Sequence, residues 1–225
     1  MNVSTVTVCL TNWRRPKSLK VTIDSLVCQS VRPVLFLWNN GPNFANSHLA
    51  WVVRSSLNEL CWPRWLMASF AKTEYICIMD DDIRLTDRGV LESAIDRLSR
   101  CPSDCIVGAE GVNLLDGRSY RNSDHIRLSV EPLKIDTCCD LIKGKFMLLR
   151  AKALRERVPL AIPESYREDD IAISGLLARG LRKQHLCLTT LSHRFSVVDE
   201  PNALSNLEGH YDRRQLACER YFWLP

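Results

Sequence analysis

The chain has 225 residues, of which 46% are hydrophobic, so it can bury a sizeable core and fits one large α/β domain. Thirty Lys and Arg against 26 Asp and Glu give a net charge of +4, without the long basic run that nucleic-acid binding favours. No stretch approaches the ~20 apolar residues of a membrane span, and no signal peptide is visible. We therefore expect a soluble, cytoplasmic protein with no nucleic-acid partner and no integral membrane segment, and of unknown oligomeric state.

The first half of the chain alternates strand patterns with helix patterns. Strands are predicted at 3–10, 33–38, 50–53, 74–79 and 105–107, and helices at 16–29, 61–71 and 86–98. Thr86 is expected to cap the last of these helices. Strands that alternate with helices imply parallel strands joined by right-handed crossovers.

The second half is more mixed. Residues 108–140 are predicted to combine loops with antiparallel strands, followed by a strand at 145–149 and a helix at 151–157. A helix at 168–179 places Ile173, Leu176 and Leu177 on one face and ends at Gly180. A last strand at 184–189 and a partly helical tail after Pro201 complete the prediction. We expect one domain, with a nucleotide-binding half at about 1–105 and an acceptor and catalytic half at about 106–225.

The ten cysteines are predicted to be free thiols in a reducing compartment. Several lie inside apolar strand-like runs, where Cys behaves as a small hydrophobic residue. The pairs Cys101/Cys105 and Cys138/Cys139 lack the CxxC spacing of a zinc site.

Three aspartates, Asp80, Asp81 and Asp82, directly follow a buried strand. In open α/β sheets, ligands bind outside the carboxyl ends of the strands. Unpaired carboxylates at such close range repel one another, and a divalent cation relieves that repulsion while holding a diphosphate. The pattern predicts a metal and phosphate site, although an acidic turn before a helix would have the same sequence.

A second acidic group, Glu168–Asp169–Asp170, opens the helix that ends at Gly180. Acids in a first turn complement the helix dipole, which accounts for them structurally. One of these carboxylates could also act as a general base on an acceptor hydroxyl.

Taken together, these pieces resemble nucleoside-diphosphate-sugar glycosyltransferases of the GT-A fold. The matching stretches are TVCLTNWRRPKSLKVTIDSLVCQS, PVLFLWNNG, SSLNELCWPRWLMASFAKTEYICIMDDDI, KGKFMLLRAKAL and EDDIAISGLLARG, in the family's order. The chain is most similar to family-2-like and exostosin-like enzymes and to small viral or bacterial relatives. A viral member would act in the host cytoplasm. The resemblance implies a Rossmann-like, mainly parallel mixed sheet flanked by helices.

The resemblance also implies roles for particular residues. Donor contacts are expected at Thr11, Asn12, Arg14 or Arg15, Asn39, Asn40, Asn58, Arg64, Asp80, Asp81 and Gly144. Mn²⁺ or Mg²⁺ would be held by Asp82, Asp80 and His193. Asp170 is the implied general base, with Asp169 as the alternative. Arg194 and the group Arg179, Arg182 and Lys183 are further candidates for the leaving diphosphate.

The implied reaction moves a sugar from a nucleoside diphosphate, with UDP favoured by family frequency, to a hydroxyl of a glycan or other acceptor. We expect inversion at the anomeric carbon, and a retaining, exostosin-like reaction is the alternative. A nucleotidyltransferase would carry a Gly-rich loop after the first strand, whereas TNWRRP has no glycine. An aspartyl phosphatase would want Thr or Val where DDDIR has Arg84. A non-catalytic nucleotide-sugar-binding module is the remaining alternative.

Overall fold

The structure, a computed structural model, describes residues 5–116, 118–159, 167–198 and 208–223. Its strands are β1 Val6–Asn12, β2 Val34–Asn39, β3 Leu49–Arg54, β4 Tyr75–Asp80, β5 Ile83–Leu85, β6 Ile106–Gly108, β7 Gly111–Asn113, β8 Asp124–Ile126, β9 Thr137–Cys139, β10 Leu141–Ile142, β11 Phe146–Arg150, β12 His185–Cys187 and β13 Phe195–Val197. Its helices are α1 Pro16–Val27, α2 Pro63–Ser69, α3 Val90–Ser99, α4 Ala151–Arg157, α5 Asp169–Ala178 and α6 His210–Cys218. Short 3₁₀ turns cover Tyr120–Asn122 and Thr189–Arg194, and a π-helical turn covers Glu219–Trp223.

The central sheet has eight strands in the order β3-β2-β1-β4-β11-β6-β12-β9. The first four pair in parallel, whereas β11 and β9 are antiparallel to their neighbours. This confirms the predicted fold class, a mixed, mainly parallel sheet flanked by helices. The region 108–140 contains short antiparallel strands, as expected, in the sheet β10-β7-β8.

Successive residues of β1 pack into different cores on the two faces of the sheet. Val8 and Leu10 belong to the core that is covered by α1 and α3. Cys9, which lies between them, belongs to the core covered by α2, α4 and α5. Because side chains alternate across a strand, a strand covered on both faces is buried on both, and β1 is accordingly mostly apolar up to Leu10.

The predicted helix at 86–98 begins later than expected. Residues 83–85 form β5, which pairs antiparallel with β13. The backbone N–H of Thr86 donates a hydrogen bond to the carbonyl of Arg194 at 2.9 Å. Helix α3 starts only at Val90, with Gly89 in the N-cap position. The assignment of Thr86 as the cap was therefore wrong, because a long-range strand pair occupies the first residues of the predicted helix.

Ile173, Leu176 and Leu177 pack into the same core, as predicted for the helix at 168–179, but the burial of this helix extends well beyond that face. All of α5 except Leu176 is buried, because α4, α6, β10 and the π-helical turn surround it. A Cβ on Gly175 would lie 2.5 Å from Cβ of Tyr221, so glycine is required for this close packing. The helix ends as predicted, with Gly180 in the left-handed region at φ +78°.

Two further expectations concern the end of the chain. The strand predicted at 184–189 is β12, which is not the last because β13 follows it. The tail is helical over residues 210–223 after a turn at 208–209, while the other residues of the predicted tail lie outside the described ranges. All ten cysteines are free, and six of them are buried. Within the described ranges, no helix is long and apolar enough to cross a bilayer.

His185 on β12 links the sheet to α5. Its Nδ1 accepts a hydrogen bond from the backbone N–H of Ile106 at 3.1 Å, so Nε2 carries the proton and donates to the carbonyl of Ser174 at 2.9 Å. Complete burial lowers the pKa of His185 to about 4. The folded protein therefore requires the neutral ring.

This requirement predicts a loss of stability in acid. Below pH ~6.5 the unfolded chain takes up a proton at this position that the folded chain refuses until about pH 4, so stability falls as pH drops through that window. Between pH 7 and pH 4.5, urea unfolding should show that His185→Gln loses about 2–3 kcal/mol less stability than the wild type. The exposed His48, changed to Gln, is the control and should keep the wild-type pH dependence. Identical pH dependence in the wild type and His185→Gln would contradict this role.

Candidate active site

A cleft of about 460 Å³ opens at the carboxyl ends of β1 and β4. Residues from both halves of the chain line it. Of the residues singled out by sequence, it contains Thr11, Asn12, Arg15, Asn40, Asn58, Arg64, Asp80, Asp81, Asp82, Gly144, Asp169 and Asp170. Arg14, Asn39, His193, Arg194, Arg179, Arg182 and Lys183 are not among its lining residues.

The parallel pairing of β1 with β4 brings the two sequence motifs together. Thr11 lies beside Asp80 in the register of the two strands. Asn12 then holds the turn that follows β1, because its Oδ1 accepts the backbone N–H of Arg15 at 3.1 Å. Its Nδ2 donates to Oδ1 of Asn39 at 2.7 Å.

Asn39 therefore has a structural position rather than a place in the cleft wall. It is buried, and besides accepting from Asn12 it donates to the carbonyl of Pro42 at 2.7 Å. Arg14 is also outside the cleft wall, and its guanidinium lies 4.5 Å from the centre of the ring of Trp13, which does line the cleft. Of the two adjacent arginines, it is Arg15 that reaches the aspartates.

Arg15 is the counter-charge of Asp81 and Asp82. Its Nη1 donates to Oδ2 of Asp82 at 2.6 Å, and its Nη2 lies 2.5 Å from Oδ1 of Asp81. Asp81 is almost fully buried, and neither of its carboxylate oxygens accepts a hydrogen bond from the described residues. Burial raises the pKa of Asp81 to about 8 in spite of Arg15, and burial together with Asp80 raises that of Asp82.

Arg64 on α2 joins the two acidic groups of the sequence. Its Nη1 donates to Oδ1 of Asp80 at 2.6 Å, and its Nε donates to Oδ2 of Asp169 at 2.9 Å. Trp65 donates its indole N–H to the same Asp169 oxygen at 2.6 Å. Burial acts to lower the pKa of Arg64, but the two carboxylates raise it well above its usual value. One buried cation thus ties the end of β4 to the start of α5.

Gly144 makes room for this arginine. A Cβ at Gly144 would lie 2.6 Å from Nη2 of Arg64. The backbone N–H of Gly144 donates to Oδ2 of Asp170 at 3.2 Å. Gly144 is therefore part of the scaffold that packs the two acidic groups against each other.

Asp170 is held by a cation that the sequence did not indicate. Arg214 on α6 donates to its Oδ2 at 2.8 Å, and the backbone N–H of Ile171 donates to its Oδ1 at 2.9 Å. Burial acts to raise the pKa of Asp170, but Arg214 lowers it overall. Asp169 behaves differently, since burial raises its pKa to about 6 even though Arg64 opposes the shift.

Sequence reasoning also missed Glu110, a buried carboxylate in the cleft wall. Lys143 and Lys145 pair with its two oxygens at 3.1 and 2.9 Å. Burial acts to raise the pKa of Glu110, but the two ammonium groups lower it overall. Tyr120, His125, Arg127, Arg167, His210 and Tyr211 also line the cleft without having been predicted. They lie in the irregular region after β7, before α5 and on α6, where the sequence shows no strand-end or motif signal.

His193 is not brought to the aspartates. It is exposed near the end of a 3₁₀ turn. The strand that follows this turn, β13, pairs antiparallel with β5. The residue that reaches Asp82 is Val198, whose N–H donates to the Asp82 carbonyl at 2.7 Å. His193 lies at the opposite end of this strand pair, beyond Thr86.

The aspartates are suited to share a hard cation with a ligand rather than to enclose one. Oδ2 of buried Asp81 has no hydrogen-bond donor among the described residues, its Oδ1 has the ion pair with Arg15, and the Asp80 side chain is one-third exposed. In the described ranges, no three His, Cys, Asp or Glu side chains are grouped closely enough to hold a metal by themselves. Mg²⁺ typically uses one or two carboxylates plus phosphate oxygens of its ligand, and Mn²⁺ prefers similar donors. The residues present fit such a shared site.

Comparison with solved structures identifies the fold. The mannosyltransferase PcManGT of Pyrobaculum calidifontis, in complex with GDP-Man and Mn²⁺, matches with a TM-score of 0.56 and 13% identity over 81% of this chain and 54% of that one. Residues 1–349 of S. aureus TarS match with a TM-score of 0.58 and 14% identity over 82% of this chain and 58% of that one. The chain thus spans little more than half the length of these neighbours. No protein-family model and no curated protein matches it. The likeness shows a glycosyltransferase fold of Rossmann-like type.

The position of Arg64 predicts a strong effect on stability. Arg64→Met should cost about 3–5 kcal/mol in urea unfolding, because it leaves buried Asp169 without its counter-charge. Adding Asp169→Asn should recover a large part of that loss, as double-mutant cycles show for contacting residues. The exposed pair of Lys20 and Asp24 is the control, since Lys20→Met should cost no more than about 0.5 kcal/mol. Strictly additive effects of the two cleft substitutions would contradict the coupling.

Proposed function

We propose that this chain is a metal-dependent glycosyltransferase of the GT-A type, which moves a sugar from a nucleoside diphosphate to a hydroxyl acceptor. One observation carries the proposal. Three aspartates at the end of a buried parallel strand share a cleft with two aspartates at the start of α5, and Arg64 joins the two groups. One cleft therefore contains both the groups that could bind a diphosphate, directly or through a metal ion, and a carboxylate that could take the proton of an acceptor hydroxyl.

The first half of the chain supplies the proposed donor site. Thr11, Asn12, Asn40 and Asn58 offer hydroxyl and amide groups for a nucleoside, and UDP is the nucleotide we favour. Arg15 and Arg64 now pair with carboxylates and could transfer some of their donors to diphosphate oxygens, for which the planar guanidinium is well suited.

Asp80 and Asp82 are the proposed ligands of Mn²⁺ or Mg²⁺, together with the phosphates. The bound ion would neutralise negative charge on the leaving diphosphate. The mannosyltransferase neighbour was crystallised with GDP-Man and Mn²⁺, which supports a divalent ion in this fold. His193 is left out of the proposed ligand set because it does not line the cleft.

For the general base we favour Asp169 over Asp170. Both oxygens of Asp170 accept hydrogen bonds, one of them from Arg214, and its lowered pKa makes it a weak base. The pKa of Asp169 is raised to about 6, close to the value at which a carboxylate is ionised at neutral pH yet still basic. Asp170 is then a positioning residue that fixes Gly144 and Arg214.

The proposed reaction inverts the anomeric carbon. The acceptor hydroxyl attacks that carbon from the face opposite the diphosphate, its proton passes to Asp169, and the bond from the carbon to the phosphate oxygen breaks. The acceptor would enter from the side lined by residues after about 106. An α-linked donor should therefore give a β-linked product, whereas an α-linked product would indicate the retaining alternative.

Metal-dependent donor binding can be tested by thermal shift. Nucleotide sugars with Mn²⁺ should raise the melting temperature of the wild type by about 5–10 °C at 100 times the dissociation constant, since they bind only the native state. Asp82→Asn should abolish the part of this shift that depends on Mn²⁺. Asp24→Asn, at an exposed position on α1, is the matched control and should keep it. A full shift in Asp82→Asn would exclude Asp82 as a ligand.

The base assignment predicts different outcomes for two neighbouring variants. Asp169→Asn should lower transfer by about 10²–10⁴-fold because the proton acceptor is lost. It should also lower the melting temperature, because buried Arg64 loses one of its two carboxylates, while donor binding by the folded variant persists. Wild-type kcat/KM should decline as pH falls through about 6, where Asp169 takes up a proton. Asp170→Asn should mainly lower the melting temperature, because the buried charge of Arg214 loses its partner.

The measurements are transfer rates, donor affinity and melting temperature for the three proteins. A folded Asp170→Asn variant without transfer activity, beside an active Asp169→Asn variant, would move the base to Asp170. Donor binding without release of nucleoside diphosphate in the wild type, with any acceptor or water, would indicate a binding module rather than a transferase.

A further inference from the structure

Two arginines that line the cleft form no ion pair with the described residues, although Arg167 lies near enough to Glu168 to oppose the rise in the pKa of that carboxyl that burial causes. Six carboxylates and seven Lys or Arg side chains line the cleft, and five of these cations pair with the six carboxylates. The remaining two, Arg127 after β8 and Arg167 before α5, form no ion pair with the described residues. Arg127 is exposed and Arg167 is half-buried, so both can meet a ligand.

The pKa values of the two histidines that line the cleft, His125 and His210, are both lowered. Burial is the main cause that lowers the pKa of His125, and Lys143, Arg127 and Arg214 lower it further. Burial and Arg214 likewise lower the pKa of His210, although Asp170 opposes the shift. A protonated histidine is disfavoured here because the surrounding groups are already cationic.

Aromatic rings form the wall between these charges. The ring centres of Tyr120 and His125 are 5.1 Å apart, and those of Tyr120 and Tyr211 are 6.5 Å apart. Tyr211 is 41% exposed, and the guanidinium of Arg121 lies 5.1 Å from its ring centre. The side of the ring that faces away from Arg121 can receive the apolar side of a sugar ring.

This wall is connected directly to the second acidic group. The guanidinium of Arg214 lies 4.7 Å from the centre of the Tyr120 ring and also donates to Asp170 at 2.8 Å. Tyr120 is buried and supports the exposed Tyr211, so a sugar against Tyr211 would lie close to the carboxylates at the start of α5. Arg15, which pairs with Asp81 and Asp82, belongs to the other end of the cleft, and Arg64 lies between the two ends because it pairs with both Asp80 and Asp169.

We infer that the end of the cleft lined by Arg127, Arg167, Tyr120 and Tyr211 binds the acceptor, and that the acceptor is a sugar bearing a phosphate, sulfate or carboxylate. The inference rests on the proposed transferase function and specifies its second substrate. The guanidinium groups of Arg127 and Arg167 supply charge-assisted hydrogen bonds to the anion, and the ring of Tyr211 supplies the platform for the sugar. The donor diphosphate has its own cations beside the aspartates.

The test is an NMR titration of wild-type protein held saturated with UDP and Mn²⁺. The probes are glucose 6-phosphate, N-acetylglucosamine 6-sulfate and glucuronic acid, each compared with glucose or N-acetylglucosamine. At least one charged sugar should bind about tenfold more tightly than its neutral counterpart, which is what a single charge-assisted hydrogen bond provides. The three probes distinguish phosphate, sulfate and carboxylate.

The variant Arg127→Gln with Arg167→Gln should lose this preference and keep its affinity for UDP. The matched control removes two charges elsewhere, at the exposed Arg100 and Arg118, and should retain the preference. Melting temperatures establish that both variants are folded.

Equal binding of charged and neutral sugars would overturn the inference. So would a preference that survives in the Arg127→Gln, Arg167→Gln variant, or one that appears only when UDP is omitted, because the arginines would then serve the donor phosphates. Failure of the transferase proposal is read separately, as the absence of nucleoside diphosphate release from any nucleotide sugar.

Discussion

A buried carboxylate is stable in its ionised form only beside a counter-charge, and this constraint organises the cleft. Arg64 is 1% exposed and binds Asp80 from one half of the chain and Asp169 from the other. Gly144 is required at its position because any side chain there would collide with Arg64. The two acidic motifs, α2 and the loop before β11 are therefore placed by a single guanidinium group.

The counter-charges beside Asp169 and Asp170 also help to set the protonation state of each carboxylate. Asp169 and Asp170 are adjacent on α5, yet the pKa of the first is raised and that of the second is lowered. The difference follows from their hydrogen bonds, since Asp170 receives donors on both oxygens and has Arg214 as its own cation. Two residues of identical chemistry can thus divide a catalytic and a scaffolding role.

The fold was largely predictable from local patterns. The apolar runs of β1, β2 and β4 and the periodicity of α1 and α4 depend on neighbouring residues, and the position of the three aspartates at a strand end follows from the apolar run that precedes them. The start of α3 could not be predicted, because β5 forms only by pairing with β13, over one hundred residues later in the chain. A window of local sequence contains no information about such a pair.

The partners of the acids were beyond prediction for the same reason. Arg64 and Asp169 are separated by 105 positions, and Arg214 and Asp170 by 44, so no spacing rule connects them. From the sequence, a metal ion was expected to relieve the repulsion among Asp80, Asp81 and Asp82, whereas Arg15 and Arg64 already supply cations. A metal ion or a diphosphate would therefore have to bind to aspartates and arginines that already pair with each other.

The location of Arg214 on α6 has a consequence for biosynthesis. A nascent chain leaves the ribosome amino end first, so the sheet and α5 are available before α6 has been translated. Until then Asp170 has no guanidinium partner, and the wall formed by Tyr211 is missing. We therefore expect the cleft to be complete only once α6 has been translated and has packed against α5.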